Sequence, residues 1–311
     1  PPGTEAVALG TGERVADNGA SMSAVARPRS GVTTPLGLAH AEQLGGPEGI
    51  ALTKGGLLEA LPADGLAVLN ADCAAHVGLR ERTAAPVLTV GEPSTADVRI
   101  RGLRVDAELR ASFELDTPWG SAHNVRVGLR GAHQAVNAAQ AATVALHLGV
   151  AMDLVVAGLG AVDSAHGRMR LAISAAGVTV LDDTYNASPA AMAASLEAFG
   201  ALEVEGRRVA VLGAMRELGD VGPEEHAKVG AHAARVGVTT LVVVSGGTES
   251  LVAAAETAGI EVRVVGDAAE AATTVSGLVR PGDAVLIKAS RLVGLERVAA
   301  ALLAPIAEAP R

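Results

Sequence analysis

The chain has 311 residues, 49% of them hydrophobic and 1% aromatic, and its formal net charge is −9 at pH 7. So few aromatic side chains exclude a base-stacking surface for single-stranded nucleic acid, and the acidic balance argues against a general binder of phosphate backbones. A single cysteine, Cys73, excludes an intramolecular disulfide and fits a reducing cytoplasm. Polar residues interrupt every stretch of about 20 residues, so the sequence predicts no membrane span.

The first half of the chain predicts short strands followed by two helices. Residues 1–35 are rich in Gly, Ala, Ser, Pro and Thr and show no sustained periodicity, so only one short strand is expected there. Alternating apolar residues on both sides of a turn at 117–120 predict a β-meander. The expected elements are a strand over 30–34, a helix over 49–61, strands over 66–69 and 86–90, the meander over 98–127 and helices over 133–148 and 151–160.

The second half alternates short β-branched runs with amphipathic segments. Strands are expected over 178–181, 209–212, 241–244, 262–265 and 284–287, and helices over 188–202, 223–236, 249–258, 268–278 and 295–307. This alternation is typical of βαβ units and a parallel sheet. The change of rhythm predicts two domains, over 1–165 and 166–311.

Polar side chains cluster after two of these strands. The segment Asp182–Pro189 carries two carboxylates, a phenol, an amide and two hydroxyls, and Lys288–Arg291 places two cations around a serine. Ligands bind at the carboxyl ends of the strands in such sheets. Ordinary structure is the alternative, because Ser188 and Pro189 suit the start of a helix and the cations suit a solvated loop.

Two weaker candidates lie in the first half. Gly131–Asn137 begins a helix after a strand and suits part of a nucleotide, although a plain helix start explains it as well. His40 and Lys54 are candidate ligands whose alternative is an exposed or structural position. Neither the phosphate-loop pattern G-x-x-x-x-G-K-[ST] nor G-x-G-x-x-G after a strand occurs. The residues alone therefore predict an α/β protein that binds a polar ligand.

Taken in order, nine motifs resemble those of the Mur ligase family. They lie at 37–40, 45–50, 54–55, 70–72, 131–137, 167–169, 182–189, 213–219 and 288–291. The patterns D-D-x-Y-N-A-x-P at 182–189 and G-x-M-x-E-L-G at 213–219 resemble the branch that adds D-alanyl-D-alanine. The resemblance implies a central ATPase domain followed by a Rossmann-like C-terminal domain with a mostly parallel sheet.

The resemblance also implies a reaction, its substrates and its location. Family members are cytoplasmic ATP-dependent amide ligases of peptidoglycan precursor synthesis. ATP converts the terminal carboxylate of UDP-MurNAc-tripeptide into an acyl phosphate, which the amine of D-Ala-D-Ala then attacks. Such activation is needed because a carboxylate does not react with an amine at pH 7. Mg²⁺ neutralises the charge that builds up on the phosphates.

The motifs carry functional roles onto particular residues. The implied magnesium ligands are Asp17, His40 and a carbamylated Lys54. The implied ATP-binding residues are His133, Asn137, Arg168 and Asp183. Tyr185, Asn186, Ser290 and Arg291 are expected near the dipeptide or the reacting carboxylate. Lys54 and Asp183 are the implied catalytic residues.

Several positions depart from the family pattern. Family members carry a uridine-nucleotide-binding N-terminal domain and a phosphate loop, and this sequence shows neither, so the central domain is expected to be truncated and this chain alone inactive. Loss of the loop is expected to raise the barrier to phosphate transfer by about 4 kcal/mol or more.

Three substitutions favour an alternative function. Pro35, Gly56 and Ala214 replace residues usual in the family, which favours a non-catalytic paralogue that binds nucleotide or dipeptide. A further alternative, a nucleotide-binding α/β oxidoreductase, is disfavoured because this sequence lacks the glycine fingerprint of such enzymes. Apolar surface exposed by the truncation predicts self-association.

Overall fold

The computed structural model describes residues 8–9, 18–34, 55–73 and 76–305. These residues form two six-stranded sheets with helices packed against them. The α/β class predicted from the sequence is confirmed. The division into domains at 165/166 stays a prediction.

The first sheet combines a parallel part with an antiparallel meander. Its strands lie side by side in chain order: β1 (Ser30–Val32), β2 (Leu66–Asn70), β3 (Val87–Gly91), β4 (Val98–Val105), β5 (Arg110–Thr117) and β6 (Gly120–Arg130). The pairs from β1 to β4 are parallel, and the pairs from β4 to β6 are antiparallel. The structure thus confirms the predicted meander and extends it by three parallel neighbours.

One alanine-rich helix forms most of the cover of this sheet. The helical segments are α1 (Asn18–Ala26), residues 55–59, α2 (His76–Arg80), α3 (Gln134–His147) and α4 (Met152–Ala161). In α3 the buried Ala135, Ala138, Ala139, Ala142 and Leu146 recur at helical spacing and form one apolar face. That face packs on the buried side chains of β2 to β6. Small side chains allow the helix to lie close to the sheet.

The second sheet is parallel except at one edge. It contains β7 (Arg170–Ile173), β8 (Thr179–Asp182), β9 (Arg208–Leu212), β10 (Val238–Val244), β11 (Glu261–Val265) and β12 (Ala284–Lys288). The spatial order is β11-β10-β9-β12-β8-β7, and only the β7–β8 pair is antiparallel. The strand β12 therefore returns between two strands that precede it in sequence.

Helices cover both faces of the second sheet. They are α5 (Pro189–Ala201), α6 (Gly222–Arg235), α7 (Glu249–Thr257), α8 (Ala268–Leu278) and α9 (Glu296–Leu303). Along β9, Ala210 and Leu212 join the core beneath α5, α6 and α7. Val209 and Val211 point to the opposite core, beneath α8 and α9. This period of two buries both faces, which explains why the strand is a continuous apolar run. The Rossmann-like architecture is confirmed.

The helix α1 and the strand β7 are among the elements that were not predicted, each for a physical reason. The helix α1 was not predicted because its sequence shows no amphipathic periodicity. It buries the polar Ser23 and exposes the apolar Met22 and Val25, the reverse of the usual amphipathic pattern. The strand β7 is an edge strand that exposes Ile173 to 75%, so it lacks a buried apolar run. Among the residues described, no helix combines the length and apolar character that crossing a membrane requires.

A turn of the meander joins the cores of the two sheets. Leu109, between β4 and β5, is 1% exposed and belongs to the same buried cluster as Leu181 of β8 and Met169, the residue before β7. Its φ of +65° places it in the left-handed region, and its carbonyl accepts a hydrogen bond of 2.7 Å from the Gly131 N–H. The start of α3 is thereby held beside the second sheet.

Candidate functional site

Three loops meet at the carboxyl ends of the central strands of the second sheet. They are residues 183–188 after β8, 213–219 after β9 and 289–293 after β12. The Ser290 N–H donates to the Ala214 carbonyl at 3.0 Å, and the Ser290 hydroxyl accepts from the Arg216 N–H at 2.9 Å. Because the strand order reverses here, this edge is where parallel sheets form ligand crevices.

A buried ion pair lies beneath the loops. Lys288 is 2% exposed, and its Nζ lies 2.5 Å from Asp183 Oδ2 and 2.8 Å from the Asn186 carbonyl oxygen. Asp183 also accepts from the Ser195 hydroxyl at 2.5 Å and from the Met169 N–H at 3.1 Å. Burial lowers the pKa of Lys288, and the facing Asp183 opposes that effect only in part. The interpretation of Lys288 as a solvated loop cation is therefore wrong.

Asp182, the carboxylate next to Asp183, shapes the turn that follows β8. Asp182 Oδ1 accepts from the Thr184 hydroxyl at 2.7 Å and from the Thr184 N–H at 3.2 Å, which turns the chain out of β8. Ser188 then caps α5 by accepting from the Ala191 N–H at 3.4 Å, as its position before Pro189 predicted.

Above the pair, two arginines face one aromatic ring. The Cζ of Arg168 lies 3.9 Å from the ring centroid of Tyr185, and that of Arg291 lies 5.3 Å from it. Tyr185 is 42% exposed. The loop is tied to the segment before β7, since the Tyr185 N–H donates to the Gly167 carbonyl at 2.9 Å. Two exposed guanidinium groups near one ring suit an anion such as a phosphate or a carboxylate.

The start of α3 adds a polar row from the first sheet. The Gln134 side chain donates to His133 Nε2 at 3.0 Å and accepts from the Asn137 amide at 3.1 Å. Desolvation of the ring lowers the pKa of His133, whereas Asp183 raises this pKa and Lys288 lowers it. The protein thereby favours the neutral form of the ring, which lies within electrostatic reach of the buried pair.

The structure brings together most of the predicted residues that it describes. Arg168, Asp183, Tyr185, Asn186, Ser290 and Arg291 lie around the three loops. His133 lies within electrostatic reach of Asp183 and Lys288, and Asn137 lies one turn further along α3, bonded to Gln134. Asp183 and the Ser290 hydroxyl are already engaged by protein donors. The functional roles assigned to these residues stay predictions.

The predicted magnesium ligands Asp17, His40 and Lys54 lie outside the described residues. Within 8–9, 18–34, 55–73 and 76–305, no three His, Cys, Asp or Glu side chains converge as a metal site. The magnesium site therefore rests on the sequence resemblance alone.

Sequence reasoning missed several residues that shape the site. Ser195 and Met169 bind Asp183, and His226 is 3% exposed and accepts the Met215 N–H at 2.9 Å. None of them stands at the carboxyl end of a strand. Only the folded arrangement of α5, α6 and the loop before β7 reveals their contacts.

The fold and these loops define an α/β protein with a polar-ligand site at the carboxyl edge of a parallel sheet. Two family models match the chain: the Mur ligase middle domain over residues 2–145, and the Mur ligase glutamate ligase domain over residues 167–291. Together they span most of the sequence, and the chain belongs to the Mur ligase family.

Two relatives of known name are similar to this chain over most of its length. The chain is 37% identical to UDP-N-acetylmuramoyl-tripeptide–D-alanyl-D-alanine ligase of Mycobacterium leprae, over 96% of this chain and 63% of the relative. Its identity to the ligase of that name from Mycobacterium tuberculosis H37Rv is 38%, over 92% of this chain and 60% of the relative. The chain thus spans less than two thirds of the length of these relatives.

Solved structures agree with these relatives. MurF from Acinetobacter baumannii superposes with a TM-score of 0.84 at 26% identity, covering 94% of this chain and 63% of that one. MurF from Thermotoga maritima, solved in complex with ADP, gives a TM-score of 0.78 at 26% identity, covering 93% and 65%.

Proposed function

We propose that this chain forms part of an ATP-dependent ligase that joins D-alanyl-D-alanine to UDP-MurNAc-tripeptide. The single observation that carries the proposal is the pair of guanidinium groups of Arg168 and Arg291 around Tyr185, at the reversal point of the sheet. Such a cluster suits the phosphates and carboxylates of this reaction. The substrates in this proposal are those that appear in the names of the two Mycobacterium relatives.

The reaction consists of two bond exchanges. A carboxylate oxygen of the tripeptide bonds to the γ-phosphorus of ATP while the bond to ADP breaks, giving an acyl phosphate. The dipeptide amine then bonds to the carbonyl carbon, loses a proton, and phosphate leaves with the electrons of the broken C–O bond. Both steps move negative charge between oxygens, so fixed cations near those oxygens lower the barriers.

We assign the residues to this chemistry as follows. Arg168 and Arg291 donate to phosphate or carboxylate oxygens, which both side chains reach from the surface. Asn137 and His133 face the nucleoside, because their row begins α3 and His133 lies within electrostatic reach of the buried pair. Tyr185 and Asn186 lie beside the dipeptide on the exposed loop. Asp17, His40 and a carbamylated Lys54 would hold Mg²⁺, which would neutralise charge on the phosphates.

Calorimetric titration of the 311-residue chain with Mg·ATP tests the proposal. We expect saturable binding that Arg168→Ala weakens about tenfold, since one lost guanidinium–phosphate contact is worth about 1.4 kcal/mol. Arg263→Ala is the matched control, because Arg263 is an exposed arginine of the edge strand β11 paired with Glu261. A folded chain that does not bind ATP, or one in which both variants weaken binding equally, would overturn the proposal.

A second assay separates binding from turnover. The chain is mixed with Mg·ATP, UDP-MurNAc-tripeptide and D-Ala-D-Ala, and both the new amide and released phosphate are measured. Amide formation would contradict the prediction that this chain alone is inactive. ATP binding without product would match that prediction and would also fit the non-catalytic alternative. The predicted cytoplasmic location and self-association stay predictions.

A further inference from the structure

The ammonium group of Lys288 is the most deeply enclosed cation that the structure describes near the loops. It lies at the carboxyl end of β12, a central strand, with 2% of the residue exposed. Taking a charge out of water costs free energy that one ion pair does not always recover. A lysine in this place therefore calls for an explanation beyond packing.

The contacts of the ammonium lead directly into the 183–188 loop. It donates to the Asn186 carbonyl at 2.8 Å and to Asp183 Oδ2 at 2.5 Å. Tyr185 lies between these two partners in sequence. The ammonium therefore holds the chain on both sides of the tyrosine that the two arginines face.

A second set of contacts leads to Arg168. Asp183 Oδ1 accepts from the Met169 N–H at 3.1 Å, and Met169 has a φ of +50° that an L-residue adopts only when surrounding contacts hold it. Arg168 precedes Met169, and its guanidinium stacks on Tyr185. Lys288 thus acts on both members of the stack, directly on the loop and through Asp183 on the arginine.

We propose that Lys288 is a positioning residue, which touches no ligand and fixes Tyr185 against Arg168 by holding the 183–188 loop. The relevance of this position for phosphate and dipeptide rests on the proposed function. The effect of Lys288 on the position of Tyr185 does not depend on the proposed function. The two claims can therefore be tested separately.

The same strand offers a matched control. Asp283 stands just before the amino end of β12; its side chain is 4% exposed and pairs with Arg207 at 2.7 Å. This second buried carboxylate contributes to the same sheet, and Arg207 and Arg280, which donate to it, lie outside the three loops. Disruption of either pair weakens the sheet, but only the pair at the carboxyl end holds the tyrosine.

The experiment uses the fact that Tyr185 is the single tyrosine of the chain. Incorporation of 3-fluorotyrosine gives one ¹⁹F resonance, which reports the surroundings of this ring without assignment. The spectrum is recorded for the wild-type chain, for Lys288→Met, for the double variant K288M/D183L and for Asp283→Asn. The double variant removes both charges and so leaves no unpaired ion in the core, which keeps the fold accessible if Lys288→Met does not fold.

We expect the resonance of the double variant to move at least halfway toward its position in the urea-unfolded chain while circular dichroism stays native. Asp283→Asn should leave the resonance in place although it lowers the urea midpoint. A wild-type resonance in the folded double variant, or an equal shift in Asp283→Asn, would overturn the positioning role. If the shift occurs in a chain that does not bind ATP, the positioning role stands and the proposed function fails.

Discussion

The guanidinium group of Arg168 lies over the face of Tyr185, with 3.9 Å between its Cζ and the ring centroid. A cation in this place is attracted by the ring and is also held in one orientation. Both residues are exposed, so the stack prepares the arginine for a ligand and buries little surface. The ring, and not the hydroxyl, is the part of Tyr185 that this geometry uses.

Substitution of Tyr185 tests which part of the side chain matters. Tyr185→Phe keeps the ring face and should bind Mg·ATP like the wild type, whereas Tyr185→Leu should weaken binding about threefold, equivalent to ~0.7 kcal/mol for an exposed cation–π contact. Calorimetric titration of the three proteins gives the comparison. An equal loss in both variants would show that the hydroxyl, and not the stack, carries the effect.

Gly167 provides a test of the backbone contact that holds the same loop. Its φ is +68°, and an added Cβ would lie 2.9 Å from Thr184 Oγ1 and 3.0 Å from the Tyr185 nitrogen. Gly167→Ala should therefore lower the free energy of unfolding by about 2–3 kcal/mol, of which roughly 1 kcal/mol is left-handed strain. Gly149→Ala is the control, because Gly149 has a φ of +84° and no heavy atom within 4 Å of the added Cβ.

Urea unfolding of the two glycine variants separates strain from collision. We expect Gly149→Ala to show only the strain of about 1 kcal/mol. Equal midpoints for both variants would mean that the loop yields to the new methyl group, and that the Gly167 contact does not fix Tyr185.

Most strands and helices of the second sheet were predictable because their side chains alternate or recur with the period of the element. The core of β9 shows this, since Val209 and Val211 face one layer of helices and Leu212 the other. The strand β10 extends further toward its amino end than predicted, to Val238, because Thr239 and Thr240 interrupt the apolar run; Val238 and Thr240 both pair with β9, and the register shifts between them. The period of the apolar side chains thus predicts that an element exists better than it predicts where the element begins or ends.

The candidate site was predictable only in part. Strand ends and motifs pointed to Asp183 and Lys288, but their mutual ion pair joins positions 105 residues apart, and no local pattern encodes such a contact. The left-handed Met169 was equally hidden, because its conformation depends on the Asp183 carboxylate. Long-range polar contacts therefore account for most of what the sequence did not reveal.

His226 holds the loop after β9 through both nitrogens of its ring. Nδ1 donates to the Gly222 carbonyl at 2.7 Å, and Nε2 accepts from the buried Met215 N–H at 2.9 Å. His226→Leu leaves that N–H without its acceptor, so the free energy of unfolding should fall by about 2 kcal/mol. His226→Gln offers a carboxamide oxygen near the position of Nε2 and should recover part of the loss.

Chemical denaturation of both His226 variants, with the exposed His166→Leu as control, measures these differences. We expect the order wild type, His166→Leu, His226→Gln, His226→Leu from most to least stable. Equal losses for the Gln and Leu variants would show that ring volume, and not the bond to Met215, is what the loop requires.

Asp283 makes stability depend on pH in a defined direction. Burial alone would raise the pKa of this carboxyl, but hydrogen bonds from the Arg207 side chain and from the backbone of Arg207 and Arg280 outweigh burial and lower the pKa below its ordinary 3.8. A lowered pKa means that the folded state favours the carboxylate. The contribution is therefore fully present above the unfolded value and is lost as the pH falls through the folded value.

Asp283→Asn should accordingly cost about 2 kcal/mol of unfolding free energy near pH 7, the size of hydrogen bonds to a charged group. The difference from the wild type should shrink as the pH is lowered from about 5 to about 3, because the wild-type carboxyl is then protonated progressively. Urea unfolding of both proteins across this range measures the effect. A constant difference at every pH would mean that the amide fails for steric reasons and that the charge of Asp283 does not stabilise the sheet.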